Sequence, residues 1–253
     1  MLFRSQIWAT PPIGGDWVND QSYVPYQADL NAVLCTSDGQ AFQPSSSNGA
    51  IANVRYVFSR GDAIQQVGGT QNPRRGVFEF NRCARLADIT DGTSNTAAIS
   101  ERAVYTGAPN KVKGGYCMNV SGLDSSPIIA MAFEGPDGTF MGCTPTDSHR
   151  RVGESWASGY AMCTGFNTVL PPNAPMASSS KGEWSWGVFP PSSYHPGGVI
   201  VGRCDGSASF VSETVDTGDL SQPEARISGN PASPYGAWGA FGSMNGGESI
   251  PLN

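Results

Sequence analysis

Charge, histidine and long apolar runs are scarce in this chain, and each scarcity removes a class of function. No apolar run approaches the roughly 18 residues that a membrane-spanning helix needs. The opening MLFRSQIWAT lacks the basic-then-apolar layout of a signal peptide. Only 14% of the 253 residues are charged, and the net charge of −6 offers nothing to attract a nucleic acid or an anionic membrane. The six cysteines stand too far apart for the C-x-x-C clips of zinc and thioredoxin-like sites. Neither a G-x-S-x-G elbow nor an H-E-x-x-H helix is present, and there are just two histidines, His149 and His195.

Turn formers are abundant instead. With 32 Gly and 19 Pro, the chain must be built from short elements joined by many turns. Six Trp within 10% aromatics supply enough buried area to argue against disorder. No stretch keeps apolar residues at helical spacing for more than about two turns, whereas Asn53 to Gly61, Arg75 to Phe80, Thr96 to Ser100, GTFMGC and GGVIVGRC all read as strands. The expected class is α+β and β-rich, with an antiparallel sheet, few short helices and long loops. Arg85 to Gly92 is expected to form one short helix, ended by Gly92 in the left-handed region. The Pro- and Ser-rich blocks 43–49 and 171–182 read as loops within one domain, because their residues do not suit a regular ladder.

That domain is expected over residues 23–253, including a Gly-rich C-terminal segment. Residues 1–22 read as an entry segment, truncated or artefactual, since Met1 to Ser5 includes the LFRS given by a translated sequencing adapter. Cys35, Cys83, Cys117, Cys143, Cys163 and Cys204 favour disulfides over metal ligation and hence an oxidising, extracytoplasmic setting. Cys117 and Cys143 flank one irregular segment and are the first pair to test. Asp88, Asp91, Thr93 and Asn95 crowd oxygen atoms together, but without the alternating spacing of a calcium loop. Asp88, Asp91 and Asn95 are therefore a weak calcium candidate, no other metal or cofactor is expected, and satisfying local backbone N–H groups is the better role.

Ser192 to Asp216 poses the central question, because His195 stands ten residues ahead of Asp205. Asp205-Gly206 between two apolar-containing runs signals a hairpin with a two-residue type I′ loop. That register sets Cys204 opposite Ser207, Ile200 opposite Val211, Val201 opposite Phe210 and Val199 opposite Ser212. Pro196 makes His195 extended, and Gly197 and Gly198 let the chain turn into the strand. The run from Val199 carries the Asp205 carboxylate roughly 15–20 Å from the hairpin root, so His195 and Asp205 should not meet. His195 is expected to be structural, with its ring bonded to backbone or a nearby polar group.

Five ordered segments together resemble the DUF1559 family, prepilin-like proteins of planctomycetes and related bacteria. HPGGVIVGRCDGSASFVSETVD is similar to its H-x9-DG segment, and ADITDGTSNTAAISE matches its D-G-T-S-N-T signature at Asp91, Gly92, Thr93, Ser94 and Asn95. GFNTVLPPNAP, SPYGAWGAFGSMNGGE and VLCTSDG resemble three further blocks, the last with Thr36 where the family has proline. Ile200, Arg203 and Cys204 depart from the usual pattern of the hairpin. The resemblance implies an exported, pilin-like globular head without established activity, located at the cell surface or in the periplasm. Other pilin-like or envelope proteins are the implied partners, and the membrane is reached only through an N-terminal apolar helix missing here.

Three functions follow for testing. A structural or surface-interaction head leads, because no catalytic constellation is visible. A carbohydrate- or ligand-binding module would use Trp184 and Trp186 as an exposed platform, against the simpler expectation that both pack in the core. A hydrolase would require His195 to reach a hydroxyl and a carboxylate that no local motif supplies.

Overall fold

The computed structural model describes residues 30–35, 52–67, 75–79, 83–104, 111–145, 152–153, 156, 158–182, 184–225 and 231–248. Nine strands occur in them: β1 (Tyr56–Ser59), β2 (Ala97–Glu101), β3 (Cys117–Met118), β4 (Thr144–Pro145), β5 (Gly165–Phe166), β6 (Ala177–Ser178), β7 (Gly187–Val188), β8 (Gly198–Arg203) and β9 (Ala208–Ser212). Two short helices accompany them, α1 (Ala161–Thr164) and α2 (Gly236–Gly242). The α+β, β-rich class holds. The sheets are mixed rather than antiparallel: a five-stranded sheet ordered β5-β1-β2-β8-β9 and a four-stranded one ordered β4-β3-β6-β7. In the first, β1 runs parallel to β5; in the second, β3 runs parallel to β6.

The inner face of the larger sheet carries Val57, Val199, Val201 and Val211, which pack with Phe166, Trp238 and Phe241 into one core cluster. Alternation along β8 explains this, since Val199 and Val201 point inward while Ile200 between them is exposed. The smaller sheet is covered by a second cluster including Leu123, Val169, Leu170 and Tyr235.

Other expectations fared differently. Arg75 to Phe80 forms no named strand within its described residues, only an isolated bridge between Phe78 and Cys83. The Arg85–Gly92 helix shrinks to one 3₁₀ turn, Leu86–Asp88, which ends at Ile89; Gly92 is left-handed at φ 97° but belongs to the next turn. β6 lies inside the block expected to be loop, because two residues suffice to pair with Val188 and Gly187. The block 43–49 lies outside the described residues. Among the described residues no helix is long and apolar enough to cross a membrane.

Cys117 and Cys143 are joined by a disulfide with 5.8 Å between Cα atoms. Cys117 is fully buried on β3, and Cys143 directly precedes β4, which pairs antiparallel with β3. The bridge therefore fastens a strand pair too short to persist alone. With a sequence separation of 26, loop-closure entropy gives the bridge a worth of about 3.5 kcal/mol. Replacing both cysteines with serine should lower the unfolding free energy in urea by about 2–4 kcal/mol. An unchanged midpoint would show that the bridge contributes nothing.

The hairpin is present with a corrected register. Gly202 faces Ala208, Val201 faces Ser209, Ile200 faces Phe210, Val199 faces Val211 and Gly198 faces Ser212. Its loop has three residues: the Gly206 N–H donates to the Arg203 carbonyl at 3.0 Å, and the Arg203 N–H donates to the Ser207 carbonyl at 2.7 Å. A type I′ turn would need positive φ at both Asp205 and Gly206. Only Gly206 adopts it, at 88°. Asp205 instead accepts from the Ser207 N–H at 2.9 Å and hydroxyl at 2.7 Å, a local side-chain turn that spends the carboxylate on its own loop. The slip of one residue keeps Val211 with the buried valines and leaves Phe210 outside, 52% exposed beside Ile200.

Cys204 in this loop is half-buried, and burial first, then the Asp205 charge, pushes its thiol up from 9.0 to about 11. At pH 9 its alkylation by iodoacetamide should therefore run roughly 50-fold slower than that of a free thiol, reflecting its smaller thiolate fraction. A thiol whose folded pKa is raised leaves stability level below pH 9 and removes it as pH climbs toward 11. Equal rates for Cys204 and a free thiol would remove this account.

Candidate functional site

One residue from each of three widely separated motif segments meets at the end of the larger sheet. Cys35 comes from VLCTSDG, Glu101 from TAAISE and His195 from HPGGVIVG. One ligand-type atom of each lies within 4.8 Å of the others.

Glu101 is the last residue of β2, opposite Tyr56 on β1. It is 5% exposed, and its carboxylate is divided between two partners. Oε2 accepts the Ile200 N–H at 2.8 Å, taking a backbone donor of β8, while Oε1 lies 3.2 Å from Nε2 of His195.

His195 is positioned by a firmly pinned loop. The Ser193 hydroxyl accepts the His195 N–H at 3.1 Å and donates to the Gly198 carbonyl at 2.7 Å. The Ser193 N–H donates to Asn173 Oδ1 at 2.8 Å, and the Ser192 N–H to the Glu101 carbonyl at 2.9 Å. Gly197 turns at φ 79°, and Gly198 sits where a Cβ would stand 2.0 Å from the Val211 carbonyl oxygen, so the loop can enter the sheet only through glycine. The imidazole side chain keeps 35% exposure.

Cys35 follows a 3₁₀ turn, Asn31–Val33, held by the Arg55 N–H donating to the Val33 carbonyl at 2.8 Å. Its neighbour Tyr56 has its hydroxyl pKa raised by burial, then by the charges of Cys35 and Glu101, and by a hydrogen bond with Cys35. The cleft between these groups measures about 10 Å³ and is also lined by Arg55 and Arg102. It has room for one water or ion and nothing larger.

His195 thus has the nearby polar partner expected of it, but that partner is Glu101 and not Asp205. Asp205 stays at the hairpin tip, where the Ser207 hydroxyl and N–H hold its carboxyl below the usual range. The calcium candidates do not converge either. Asp91 accepts the Gly246 and Gly247 N–H groups at 2.8 and 3.0 Å, docking the C-terminal segment. Asp88 pairs with Arg85 at 2.8 Å, and Asn95 directs its amide to the Asp91 carbonyl at 3.0 Å. Thr93 and Ser94 lie in the same turn, where the Asp205 N–H donates to the Thr93 carbonyl at 3.1 Å. His149 lies outside the described residues.

The tryptophan platform divides. Trp184 is 59% exposed, but Trp186 packs against two core clusters, so the pair does not form a shared binding surface. A separate cleft of about 620 Å³ shares Tyr194 with the small cleft at His195 and is lined by Lys111, Lys113, Glu134, Asp137 and Glu213 among others. Burial, then the nearby Glu213 charge, raises the Glu134 carboxyl within it.

A family model described as a protein of unknown function, DUF1559, matches residues 10–218. No curated protein and no solved structure matches the chain. Because the family match spans most of the sequence and includes the segments that supply Cys35, Glu101 and His195, the chain belongs to the DUF1559 family.

Proposed function

We propose that this protein is the globular head of an exported, pilin-like structural or surface-interaction subunit, with no catalytic role. The observation that carries this reading is how the motif side chains are used: their polar groups hold backbone. Asn167 donates to the carbonyls of Ala63 and Gly187, both at 2.9 Å, and accepts the Phe189 N–H at 2.8 Å. Trp238 donates Nε1 to the Leu170 carbonyl at 2.9 Å, Asp91 accepts the Gly246 and Gly247 N–H groups of the C-terminal segment, and Asp205 accepts the N–H of its own turn. Groups fully engaged in this way specify a rigid surface and leave little for turnover. The Cys117–Cys143 bridge supports an oxidising, extracytoplasmic location, with pilin-like or envelope proteins as partners.

The test is made on the protein expressed from its own locus with a C-terminal tag. Intact cells should lose the tag to added protease, and the Cys117–Cys143 pair should resist alkylation before reduction. A protease-protected chain whose cysteines are all reduced would end the proposal. The cleft of about 620 Å³ favours a second reading, a binding module for a polar ligand such as a carbohydrate. Saturable glycan binding, lost in Asn173→Ala and Glu213→Ala variants, would support it.

A further inference from the structure

We infer that Cys35, Glu101 and His195 form a binding site for one zinc-class divalent ion, with its fourth coordination position open to solvent. The donor set is a thiolate, an imidazole and a carboxylate, which suits a borderline-soft ion such as Zn²⁺ and not Ca²⁺ or Mg²⁺.

The geometry fits the ion. Zinc bonds of about 2.0–2.3 Å at tetrahedral angles place neighbouring donor atoms about 3.3–3.6 Å apart. The His195 Nε2 to Glu101 Oε1 separation is already 3.2 Å, and all three donor atoms lie within 4.8 Å. The cleft of about 10 Å³ admits an ion and excludes an organic substrate. The supporting shell is present as well. Glu101 is oriented by the Ile200 N–H, the outer bonding that holds a ligating carboxylate, and Ser193 fixes the backbone of His195.

The burial of one ligand and the exposure of another favour occupancy. Glu101 is almost fully buried, while His195 remains reachable from solvent, so an ion has an entry path. Arg55 and Arg102 stand in the cleft wall and oppose a dication. Arg102 is engaged with the Met162 and Gly165 carbonyls, and a thiolate with a carboxylate together neutralise an entering divalent charge. No local spacing could announce this site, because its ligands come from three distant segments.

The experiment titrates the purified, tag-free full chain, oxidised at Cys117–Cys143, first with Co²⁺ and then with Zn²⁺. One equivalent of cobalt should produce a thiolate-to-metal charge-transfer band and tetrahedral d–d bands, both removed by one equivalent of zinc. Cys35→Ser should abolish the charge-transfer band, and His195→Gln should weaken zinc binding by roughly 100-fold or more, at least the loss seen for outer-shell changes. These two residues are preferred because neither is buried; Glu101→Gln risks releasing β8 from β2. The Cys83→Ser/Cys204→Ser double variant should keep the band. A wild-type chain without the band, zinc titrations that superpose for wild type and Cys35→Ser, or loss of the band in the double variant would each overturn the site.

Discussion

Asp62→Ala is expected to destabilise the protein by about 3–5 kcal/mol, the cost of stranding a buried charge whose partner has been removed. Asp62 and Arg75 form a fork in which Nε reaches Oδ1 at 2.6 Å and Nη2 reaches Oδ2 at 2.8 Å, with both side chains fully inaccessible. Burial pulls the Arg75 guanidinium down, but the hydrogen bond and charge of Asp62 more than offset it, so the net shift is upward and the ion pair persists. Arg75 also donates Nη1 to the Pro231 carbonyl at 2.7 Å, and its own carbonyl accepts the Met244 N–H at 2.8 Å. One side chain therefore ties the exit of β1 to the C-terminal segment.

For a domain of this size the loss corresponds to a fall of roughly 6–20 °C in the midpoint of thermal unfolding. The mechanism makes a sharper claim than the magnitude. Asp62→Leu combined with Arg75→Met should cost less than Asp62→Ala alone, because an apolar pair leaves no uncompensated charge. A double variant at least as unstable as the single one would show that the pair contributes more than neutralisation of its own burial.

Neither Asp62 nor Arg75 was legible as a pair from sequence, and the same physical reason governs what else escaped. Local signals report turns and alternation. The strands β1, β2, β8 and β9 were visible because four to six residues suffice to show alternation, and Asp205-Gly206 announced a hairpin. Its register differs from that of a two-residue loop because a side-chain turn competes: Asp205 bonds Ser207, and the left-handed residue is needed once, at Gly206. Strands β3 to β7 have two residues each, too few for any periodicity to emerge, and they exist because tertiary packing places them beside partners. The candidate site follows the same rule. His195 stood out by rarity, yet Glu101 looked like the end of a strand and Cys35 like a disulfide candidate. The available signal was that each belongs to a different motif segment, and only the fold joins them.

Trp238→Ala should cost about 3–5 kcal/mol, and its effect should spread along a definite path. The indole is fully buried beneath the larger sheet, in the cluster of Val57, Val199, Val201 and Val211, with its ring 6.1 Å from that of Phe241. Helix α2, GAWGAFG, carries glycine at Gly236, Gly239 and Gly242 and spans under two turns, so intrinsic propensity would not form it. Its first turn borrows a cap from the segment after β9: Asp216 Oδ2 accepts the Ala237 N–H at 3.1 Å, and the Asp216 carbonyl accepts the Trp238 N–H at 2.9 Å. Truncating the ring removes the packing that pays for this helix, and it strands the Leu170 carbonyl that Nε1 now satisfies. Trp238→Phe separates the two contributions, since it keeps most of the apolar volume and should cost about 1–3 kcal/mol. Hydrogen exchange supplies the spatial test. Amides of α2 and of the β8–β9 hairpin should lose protection together in Trp238→Ala, while β3, clamped by its disulfide, keeps it. If protection fell equally everywhere, or α2 alone opened while the hairpin stayed closed, Trp238 would not be the link that holds the hairpin to the C-terminal segment.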